Sequence, residues 1–446
     1  MLFKNIAVLR GDFSIARGLD VRVEGPKIAS VAAAALAPGG GEPGCEAVDG
    51  AGLLLMPAFY NAHTHMPMTL LRGYGENMRL QDWLGERVFP FEDKLTAGDC
   101  YHASALQCAE GFMHGVVSHT DQYFFCDDIV RAVAESGAKI NIARGMSFFD
   151  ELLDTETYSA FQEAKSLFDG SNGSHDGRIR VELSLHAEYT ATKSLIAAVA
   201  DLVHETGAPL HTHISETQDE HEQCKLRHGG KTPTQVFAEA GVFDNGGVAA
   251  HCVWATEEDA GILAEKGVSA ASCPVSNMKL ASGVMDAAML YGKGVNIALG
   301  TDGAASNNSL NFFEEVKAYA LLQKVRFSDP TRITPAQALY AATRGGALAQ
   351  GRADCGVVEE GMRADLIAID LTSPALTPMY DPAAALVYAA SSRDIALTVS
   401  DGRVVYRRSG AADAAGGAFP TVDLERTLFE VNRAKERILG QLAEDA

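Results

Sequence analysis

Residues 57–73 read PAFYNAHTHMPMTLLRG, and two histidines, His63 and His65, stand two positions apart where an apolar run ends. A short apolar run of this kind is typical of a buried β-strand. Side chains two positions apart lie on the same side of a strand, so both imidazoles point into one space. Two imidazoles placed in this way can bind one divalent ion. Taken alone, the pair also fits a structural role.

Strands of the same kind recur along the middle of the chain, and helical segments separate them. The later strand segments are GVVSHTD (115–121), KINIARG (139–145), RVELSLHAEYT (180–190), PLHTHISE (209–216), GVAAHCVW (247–254), VSAASCP (268–274) and VNIALGTDG (295–303). Strand–helix alternation at this spacing predicts a parallel sheet. With the strand before His63 there are about eight units, so we expect a (β/α)₈ TIM barrel over residues 57–356.

The two ends of the chain have a different pattern. Residues 1–56 contain short alternating runs such as LFKNIAVLRG, and residues 357–446 contain ADLIAIDL and DIALTVSDGRVVYRR, in which SDG is a hairpin turn. We therefore expect both ends to build one small β-sandwich domain. A final amphipathic helix is predicted over residues 423–442.

Composition and charge argue against several classes of protein, such as nucleic-acid-binding, membrane and secreted proteins. The formal net charge of −21 disfavours binding to nucleic acid or to anionic membranes. No apolar run reaches the roughly 18–20 residues that cross a bilayer, and the first residues do not resemble a secretion signal. The eight cysteines form no CxxC pair, which favours reduced, mostly buried thiols. These features predict a soluble cytoplasmic protein.

Polar residues stand at the ends of the predicted barrel strands, where the chemistry of such barrels is placed. They are His63, His65, His186, His211, His213, His251 and Asp302. Each has an ordinary explanation alone: His251 as a hydrogen-bonded structural residue, Asp302 as a turn residue in TDG. Their recurrence on successive strands instead predicts one metal centre in which His63, His65, His213 and Asp302 are the ligands and water completes the coordination.

Four segments resemble the amidohydrolase superfamily, and the resemblance covers nearly the whole chain. They are NAHTHMPMTLLRG (61–73), HTHISET (211–217), AAHCVW (249–254) and LGTDGAASNNSLN (299–311). Within the superfamily the chain is most similar to the S-adenosylhomocysteine/5′-methylthioadenosine deaminases. The resemblance implies one divalent ion, zinc in the first place and Fe²⁺ or Mn²⁺ as alternatives. A second ion is not expected, because the strand RVELSLHAEYT lacks the lysine that holds it in some members.

The resemblance also implies a mechanism. The ion would lower the pKa of a bound water toward ~7, and Asp302 would take the water proton. Glu216, three residues after His213, would contact the substrate and pass a proton to the ring nitrogen. His251 would stabilise the tetrahedral centre. From the residues alone, Glu216 could equally be a carboxylate in the first turn of a helix.

Three further residues match substrate contacts of this branch. Glu92 would accept hydrogen bonds from both ribose hydroxyls, Arg144 would contact the far end of the 5′ substituent, and His186 would hydrogen-bond the substrate. The ordinary alternatives are a solvated carboxylate for Glu92 and a surface ion pair for Arg144. Residues 145–161 lack the second arginine that binds a homocysteine carboxylate in relatives, which favours a methylthio or plain deoxy 5′ group. The roles of Glu188 and His119 stay open at this stage.

Four functions compete. The first is hydrolytic deamination of an adenine nucleoside, such as 5′-methylthioadenosine, S-adenosylhomocysteine, 5′-deoxyadenosine or adenosine. The second keeps the chemistry but acts on a guanine, pterin or triazine ring, and it leaves Glu92 without a diol to bind. The third is a barrel that holds a metal and a ligand without turnover, and the fourth is opening of a cyclic amide. The expected partner is a small nucleoside, without nucleic acid or membrane, and homo-oligomers occur among similar proteins.

Overall fold

The computed structural model describes residues 1–34, 46–150, 152–409 and 417–445. The chain begins with strands of a terminal sheet, each rich in β-branched and aliphatic residues. They are β1 (Leu2–Leu9), β2 (Ile15–Glu24), β3 (Lys27–Ala33), β4 (Ala47–Asp49) and β5 (Leu53–Pro57). β1 pairs with β2 in antiparallel orientation, and with β4 and β5 in parallel orientation.

A parallel eight-stranded sheet follows directly after β5. Its strands are β6 (Phe59–Thr64), β7 (Val116–Tyr123), β8 (Lys139–Arg144), β9 (Ile179–Ser184), β10 (Leu210–Ile214), β11 (Gly247–His251), β12 (Val268–Ser272) and β13 (Ile297–Leu299). Neighbours in sequence are neighbours in the sheet. The ends meet just beyond β13, where Asp302 N–H donates to the His63 carbonyl at 3.0 Å. The predicted (β/α)₈ barrel is therefore confirmed.

The chain then returns to the terminal sheet with β14 (Leu366–Asp370), β15 (Ile395–Ser400), β16 (Arg403–Arg408) and β17 (Gly417–Ala418). β14 pairs with β5, so both ends of the chain share one nine-stranded sheet, as predicted. Alternate residues of the sheet, such as Leu55 and Leu366, enclose their own apolar core in the manner of a sandwich. The other face, including Met56 and Ile367, joins the main core of the barrel.

Helices pack on the outside of the barrel. They are α1 (Leu80–Trp83), α2 (Phe89–Glu92), α3 (Ala97–Met113), α4 (Cys126–Ser136), α5 (Ser159–Ser171), α6 (Ser174–Gly177), α7 (Lys193–Thr206), α8 (Gln218–Arg227), α9 (Pro233–Ala240), α10 (Glu257–Glu265), α11 (Pro274–Lys279), α12 (Ala287–Gly292), α13 (Ala304–Asn307), α14 (Phe312–Phe327), α15 (Pro335–Ala342), α16 (Arg344–Ala349), α17 (Pro382–Tyr388) and α18 (Leu424–Asp445). The last one, α18, packs on α3 and confirms the predicted final helix. One π-helical turn, Leu84–Val88, joins α1 to α2.

Two expectations from composition bear on the described residues. The cysteines described, which exclude Cys45, are all free and buried, as expected for reduced thiols. No helix within the described ranges has the length and apolar character needed to span a membrane.

A buried ion pair joins the barrel to the terminal sheet. Lys139 on β8 is 1% exposed and donates to Asp365, which directly precedes β14 and also accepts a hydrogen bond from the Tyr60 hydroxyl at 2.6 Å. Asp401, in the β15–β16 turn, lies 3.0 Å from the same ammonium group. Burial opposes the ionisation of Asp365, but Lys139 outweighs it and holds the pKa of that carboxyl below its usual value. The pair fixes how the two sheets meet.

We expect Asp365→Ala to destabilise the protein by about 3–5 kcal/mol, because it leaves the Lys139 charge buried and without its main partner. Urea unfolding followed by circular dichroism measures this. The matched control is Glu239→Ala, which removes one member of the exposed Lys231–Glu239 pair and should cost less than about 1 kcal/mol. Equal losses in the two variants would contradict the assignment.

Candidate active site

One large cavity opens at the carboxyl ends of the barrel strands. Its volume is about 810 Å³, and the predicted strand-end residues His65, His186, His213, His251 and Asp302 line it. This is the end of a (β/α)₈ barrel at which loops, and not packed layers of side chains, meet solvent. The cavity therefore lies at the strand ends where the sequence predicts the metal centre.

Four side chains converge at the inner end of the cavity and are called the ligand cluster below: His63, His65, His213 and Asp302. Asp302 Oδ1 lies 3.5 Å from His63 Nε2 and 3.4 Å from His65 Nε2. His213 Nε2 lies 3.3 Å from His65 Nε2. Nitrogens from the three histidines all lie within 4.8 Å of one another. Residues at or just beyond the ends of β6, β10 and β13, far apart in sequence, thus bring three nitrogens and one oxygen close together.

The other ring nitrogen of each histidine is already engaged. His65 Nδ1–H donates to the Gln122 carbonyl at 2.7 Å, and His213 Nδ1–H donates to the His186 carbonyl at 2.6 Å. His63 Nδ1 lies 2.8 Å from His211 Nε2. A proton held on Nδ1 leaves the Nε2 lone pair free for an ion, and it also fixes the ring orientation.

The cluster fits a cation on independent grounds. His63 Nε2 is buried and has no hydrogen-bond partner, although a buried nitrogen normally has one. Burial lowers the pKa of His63 to about 4 and lowers the pKa of His65 as well, so both rings are neutral at pH 7. Neutral imidazoles and one carboxylate are the donors that a divalent transition ion requires.

Asp302 is held in position from several sides. The Ser276 hydroxyl donates to its Oδ2 at 2.6 Å, and Ser306 lies 3.0 Å from the same oxygen. Burial opposes ionisation of this carboxyl, but the contact with His63 prevails and keeps its pKa well below the usual value. Its backbone φ of 60° is left-handed, an uncommon conformation for a side-chain-bearing residue that is often found at functional sites.

Two further predicted residues face each other beside the ligand cluster. Glu216 Oε2 lies 3.8 Å from His251 Nε2, and Ser282 donates to Glu216 Oε1 at 3.3 Å. Burial, reinforced by the nearby Asp302 charge, raises the pKa of Glu216 to about 8. This carboxyl is therefore largely protonated at pH 7 and can donate a proton.

Local structure sets the direction of both side chains. The Asn277 amide lies 3.1 Å from His251 Nδ1, and an amide donor there leaves the ring proton on Nε2, facing Glu216. Glu220 completes a capping box with Thr217 at the start of α8 and accepts the Glu216 backbone N–H at 2.7 Å. The capping box places Glu216 at the rim of the cavity.

Glu92 reaches the same cavity from the segment after β6. It ends α2, and the Tyr123 hydroxyl donates to its Oε1 at 2.5 Å. Burial raises its pKa to about 7, the Tyr123 hydrogen bond opposes this, and Asp93 adds to it. Trp83, 6% exposed, lines the cavity on the same side. Glu92 is therefore not the solvated carboxylate of the ordinary interpretation.

His186 and Arg144 also line the cavity. The His186 ring lies 4.7 Å from the His213 ring, next to the ligand cluster, and its Nδ1 lies 3.2 Å from the Thr190 hydroxyl. Arg144 lies farther out, where its Nε donates to Glu163 at 2.5 Å. The residues predicted for the site therefore line one cavity, except His63, which is buried directly behind it in contact with Asp302. Arg144 also forms the ion pair of its ordinary interpretation.

The two residues left open face away from the cluster. Glu188 pairs with Arg227 and with His228, 2.7 Å away, so it fastens the loop after β9 to the end of α8. His119 is 1% exposed, and a Cβ added to Gly111 of α3 would lie 3.3 Å from its ring, which places it behind β7 and outside the cavity.

The sequence did not identify the residues that hold the ligand cluster in place. It placed His211 at a strand end but assigned it no role. His211 Nδ1 lies 3.9 Å from Glu182 in the barrel interior, so a carboxylate stands behind the ring that contacts His63. Ser276 and Asn277 come from α11, a segment without any sequence signal. Glu220 was detectable in principle, because the capping-box pattern T-x-x-E begins at Thr217.

Comparison with known proteins agrees with this geometry. The Amidohydrolase family matches residues 54–405. The chain belongs to this family. A 5-methylthioadenosine/S-adenosylhomocysteine deaminase from Pelotomaculum thermopropionicum is 40% identical over 98% of both chains. A 5′-deoxyadenosine deaminase from Methanothermobacter thermautotrophicus is 40% identical over 88% of this chain and 90% of that protein.

A solved structure extends the similarity to the whole amidohydrolase fold. An adenosine deaminase from Xanthomonas campestris with bound zinc superimposes with a TM-score of 0.88 and 28% identity, over 98% of each chain. The match therefore includes the terminal sheet as well as the barrel. Family membership and the ligand cluster together support a divalent metal in this amidohydrolase.

We expect His213→Ala to lose most of its bound metal, because it removes one of three converging nitrogens. Metal content per chain, measured by inductively coupled plasma mass spectrometry after dialysis, tests this. The control His204→Ala removes an exposed histidine on α7 that pairs with Asp244 at the surface, and it should retain the metal. Full metal content in His213→Ala would show that the ion binds elsewhere.

Proposed function

We propose that this amidohydrolase is a hydrolytic deaminase of adenine nucleosides that releases ammonia and the inosine analogue. The observation that carries the proposal is the shared cavity: a cation site, a protonated carboxyl at Glu216 and a carboxyl at Glu92 all face the same space. The named activities of the similar proteins point to the same substrate class.

The proposed ion is zinc, held by His63, His65, His213 and Asp302. Three imidazoles and a carboxylate suit zinc, and a similar protein contains it. When bound, the ion lowers the pKa of a water molecule toward ~7 and so supplies a nucleophile at neutral pH. Fe²⁺ and Mn²⁺ accept the same donors and are the alternatives to test.

Asp302 and Glu216 divide the proton transfers. Asp302 is ionised, so its carboxylate accepts a proton from the water that attacks the ring carbon. Glu216 is protonated and donates to the ring nitrogen beside that carbon, which prepares the ring for attack. The proton held by Asp302 then passes to the departing amine, and Glu216 regains its proton when the product carbonyl forms. Water and the amine thus become carbonyl oxygen and ammonia.

His251 and Glu92 act on opposite parts of the substrate. His251 Nε2–H donates to the oxygen that develops negative charge in the tetrahedral intermediate, where a fixed donor stabilises the transition state most. Glu92, once ionised, accepts both vicinal ribose hydroxyls, because a carboxylate offers two oxygens. His186 hydrogen-bonds the substrate near the cluster, and Arg144 lies at the level of the 5′ substituent.

The domain division is part of the proposal. Residues 57–356 would form the catalytic barrel, and residues 1–56 with 357–446 would form the supporting β-rich domain. The direct strand change from β5 to β6 and the return at β14 support these boundaries.

A substrate panel tests the function. Purified protein is incubated with adenosine, 5′-deoxyadenosine, 5′-methylthioadenosine, guanine, a pterin and a triazine, and ammonia is assayed together with the absorbance change from adenosine to inosine form. We expect release from the adenosine compounds only. Release only from a free heterocycle would favour the second function, and bound ligand without ammonia would favour a non-catalytic barrel.

We expect Glu216→Gln to reduce kcat by about 10²–10⁴-fold, because the proton donor for the ring nitrogen is lost. Steady-state ammonia release measures it, and metal content should stay at one ion per chain because Glu216 is not a ligand. A variant with normal kcat would exclude Glu216 from proton transfer.

We expect Glu92→Gln to raise KM for ribosides by about 10–100-fold, since hydrogen bonds to a charged acceptor contribute about 1.5–3 kcal/mol. In the wild type, KM should also rise as the pH falls through about 7, where Glu92 becomes protonated, and the variant should lose this dependence. The control Glu86→Gln alters an exposed carboxylate in the π-helical turn before α2 and should leave KM unchanged. Equal effects on ribosides and on 2′,3′-dideoxyribosides would contradict the diol contact.

A further inference from the structure

The residues of the cavity have a fixed order from the ligand cluster to the mouth. The Tyr123 ring lies 6.3 Å from the His65 ring, and its hydroxyl contacts Glu92. Tyr123 stacks on Phe124 at 4.1 Å, and the Arg144 guanidinium lies 5.8 Å from the Phe124 ring. A nucleoside with its base at the cluster and its ribose at Glu92 therefore directs its 5′ substituent toward Phe124 and Arg144.

The Arg144 guanidinium is already engaged by groups of the protein and is poorly available to such a substituent. Its Nε donates to Glu163 at 2.5 Å, and its Nη1 donates to the Gly145 carbonyl. Among the described residues that line the cavity, it is the one arginine or lysine side chain. A carboxylate on the substrate would have to compete with Glu163 for the same guanidinium.

The remaining charges of this outer half are negative. Asp93, Asp127, Asp128 and Glu163 all line the cavity. Asp127 and Asp128 lie in the first turn of α4, so they already complement the positive end of that helix. Asp128 is paired with Arg131 at 2.9 Å and Glu163 with Arg144, so these two charges are compensated. An anionic group would still meet Asp127 and Asp93, and Arg144 is already engaged.

Apolar side chains fill the space between these charges. Phe125 and Phe149 are 40% and 75% exposed, and together with Leu167 they line the mouth. Exposed aromatic rings at the mouth of a cavity gain stability when an apolar group covers them. The outer half of the cavity thus suits a group that is uncharged and apolar.

We propose that this chain prefers adenine nucleosides with an apolar 5′ substituent, and that Glu163 together with Asp127 excludes a 5′ substituent that ends in a carboxylate. The proposal rests on the proposed deaminase function and narrows its substrate class. The proposed cause is charge and not length, because a cavity of about 810 Å³ is within the range that holds drug-sized ligands.

Four substrates separate charge from length: 5′-deoxyadenosine, 5′-methylthioadenosine, S-adenosylhomocysteine, and the amine obtained from S-adenosylhomocysteine by replacing its amino-acid end with a propylamine of equal reach. We expect kcat/KM for S-adenosylhomocysteine to be about 10–100-fold below that for 5′-methylthioadenosine, because one unfavourable charge contact costs about 1–3 kcal/mol near a surface. S-adenosylhomocysteine ends in both a carboxylate and an ammonium group, and the amine keeps only the ammonium group, so the comparison isolates the carboxylate. The amine should therefore lose far less than S-adenosylhomocysteine. Added salt should narrow the difference, as screening predicts.

Two variants complete the test. Glu163→Gln and Asp127→Asn should each raise the ratio of kcat/KM for S-adenosylhomocysteine to that for 5′-deoxyadenosine. Glu205→Gln removes the same charge from an ion pair with Lys165 on the outside of the barrel and should leave the ratio unchanged. Equal kcat/KM for S-adenosylhomocysteine and 5′-methylthioadenosine, or equal losses for the amine, would overturn the inference and leave the deaminase function standing. No ammonia from any of the four would overturn both.

Discussion

The hydrogen bond from Asp302 N–H to the His63 carbonyl closes the barrel at the seam between its first and last strands. The same two residues face each other through their side chains, with 3.5 Å between His63 Nε2 and Asp302 Oδ1. The approach is close enough to require Gly300, since a Cβ there would lie 2.8 Å from the His63 carbonyl oxygen. The contact between His63 and Asp302 therefore both closes the barrel and brings two members of the ligand cluster together. The other two members of the ligand cluster follow from the same barrel: His65 comes directly after β6, and His213 lies on β10.

Burial and local contacts give the side chains of the cavity different protonation states, although carboxyls of this kind would all be ionised in water at pH 7. The imidazoles stay neutral, and Glu216 retains its proton to a pKa of about 8, while Asp302, which lines the same cavity, stays ionised. Two carboxyls with opposite protonation states beside one cation site supply both an acid and a base at neutral pH. The same desolvation raises the pKa of Glu92 only to about 7, so this carboxyl can ionise near neutral pH, as the proposed diol contact requires.

Much of this architecture could be predicted from the sequence, because strand periodicity and strand-end polarity are local signals. The barrel, the shared terminal sheet and the final helix are confirmed. The predicted site residues other than His63 line one cavity, and their roles stay predictions. His211 and Glu182 could not be assigned, since only the closed barrel places them behind His63. The charges around Arg144 depend on α4 and α5, which no motif links to the site. Oligomeric state and cytoplasmic location stay predictions.

The central claim is that one ion is bound by nitrogen and oxygen atoms from β6, β10 and the segment after β13. X-ray absorption at the zinc edge of the metal-loaded protein tests it most directly. The account predicts scattering from imidazole rings and oxygen at about 2.0–2.1 Å, and no sulfur at about 2.3 Å, although Cys252 and Cys273 are buried nearby. A sulfur ligand, or a spectrum without imidazole scattering, would contradict it.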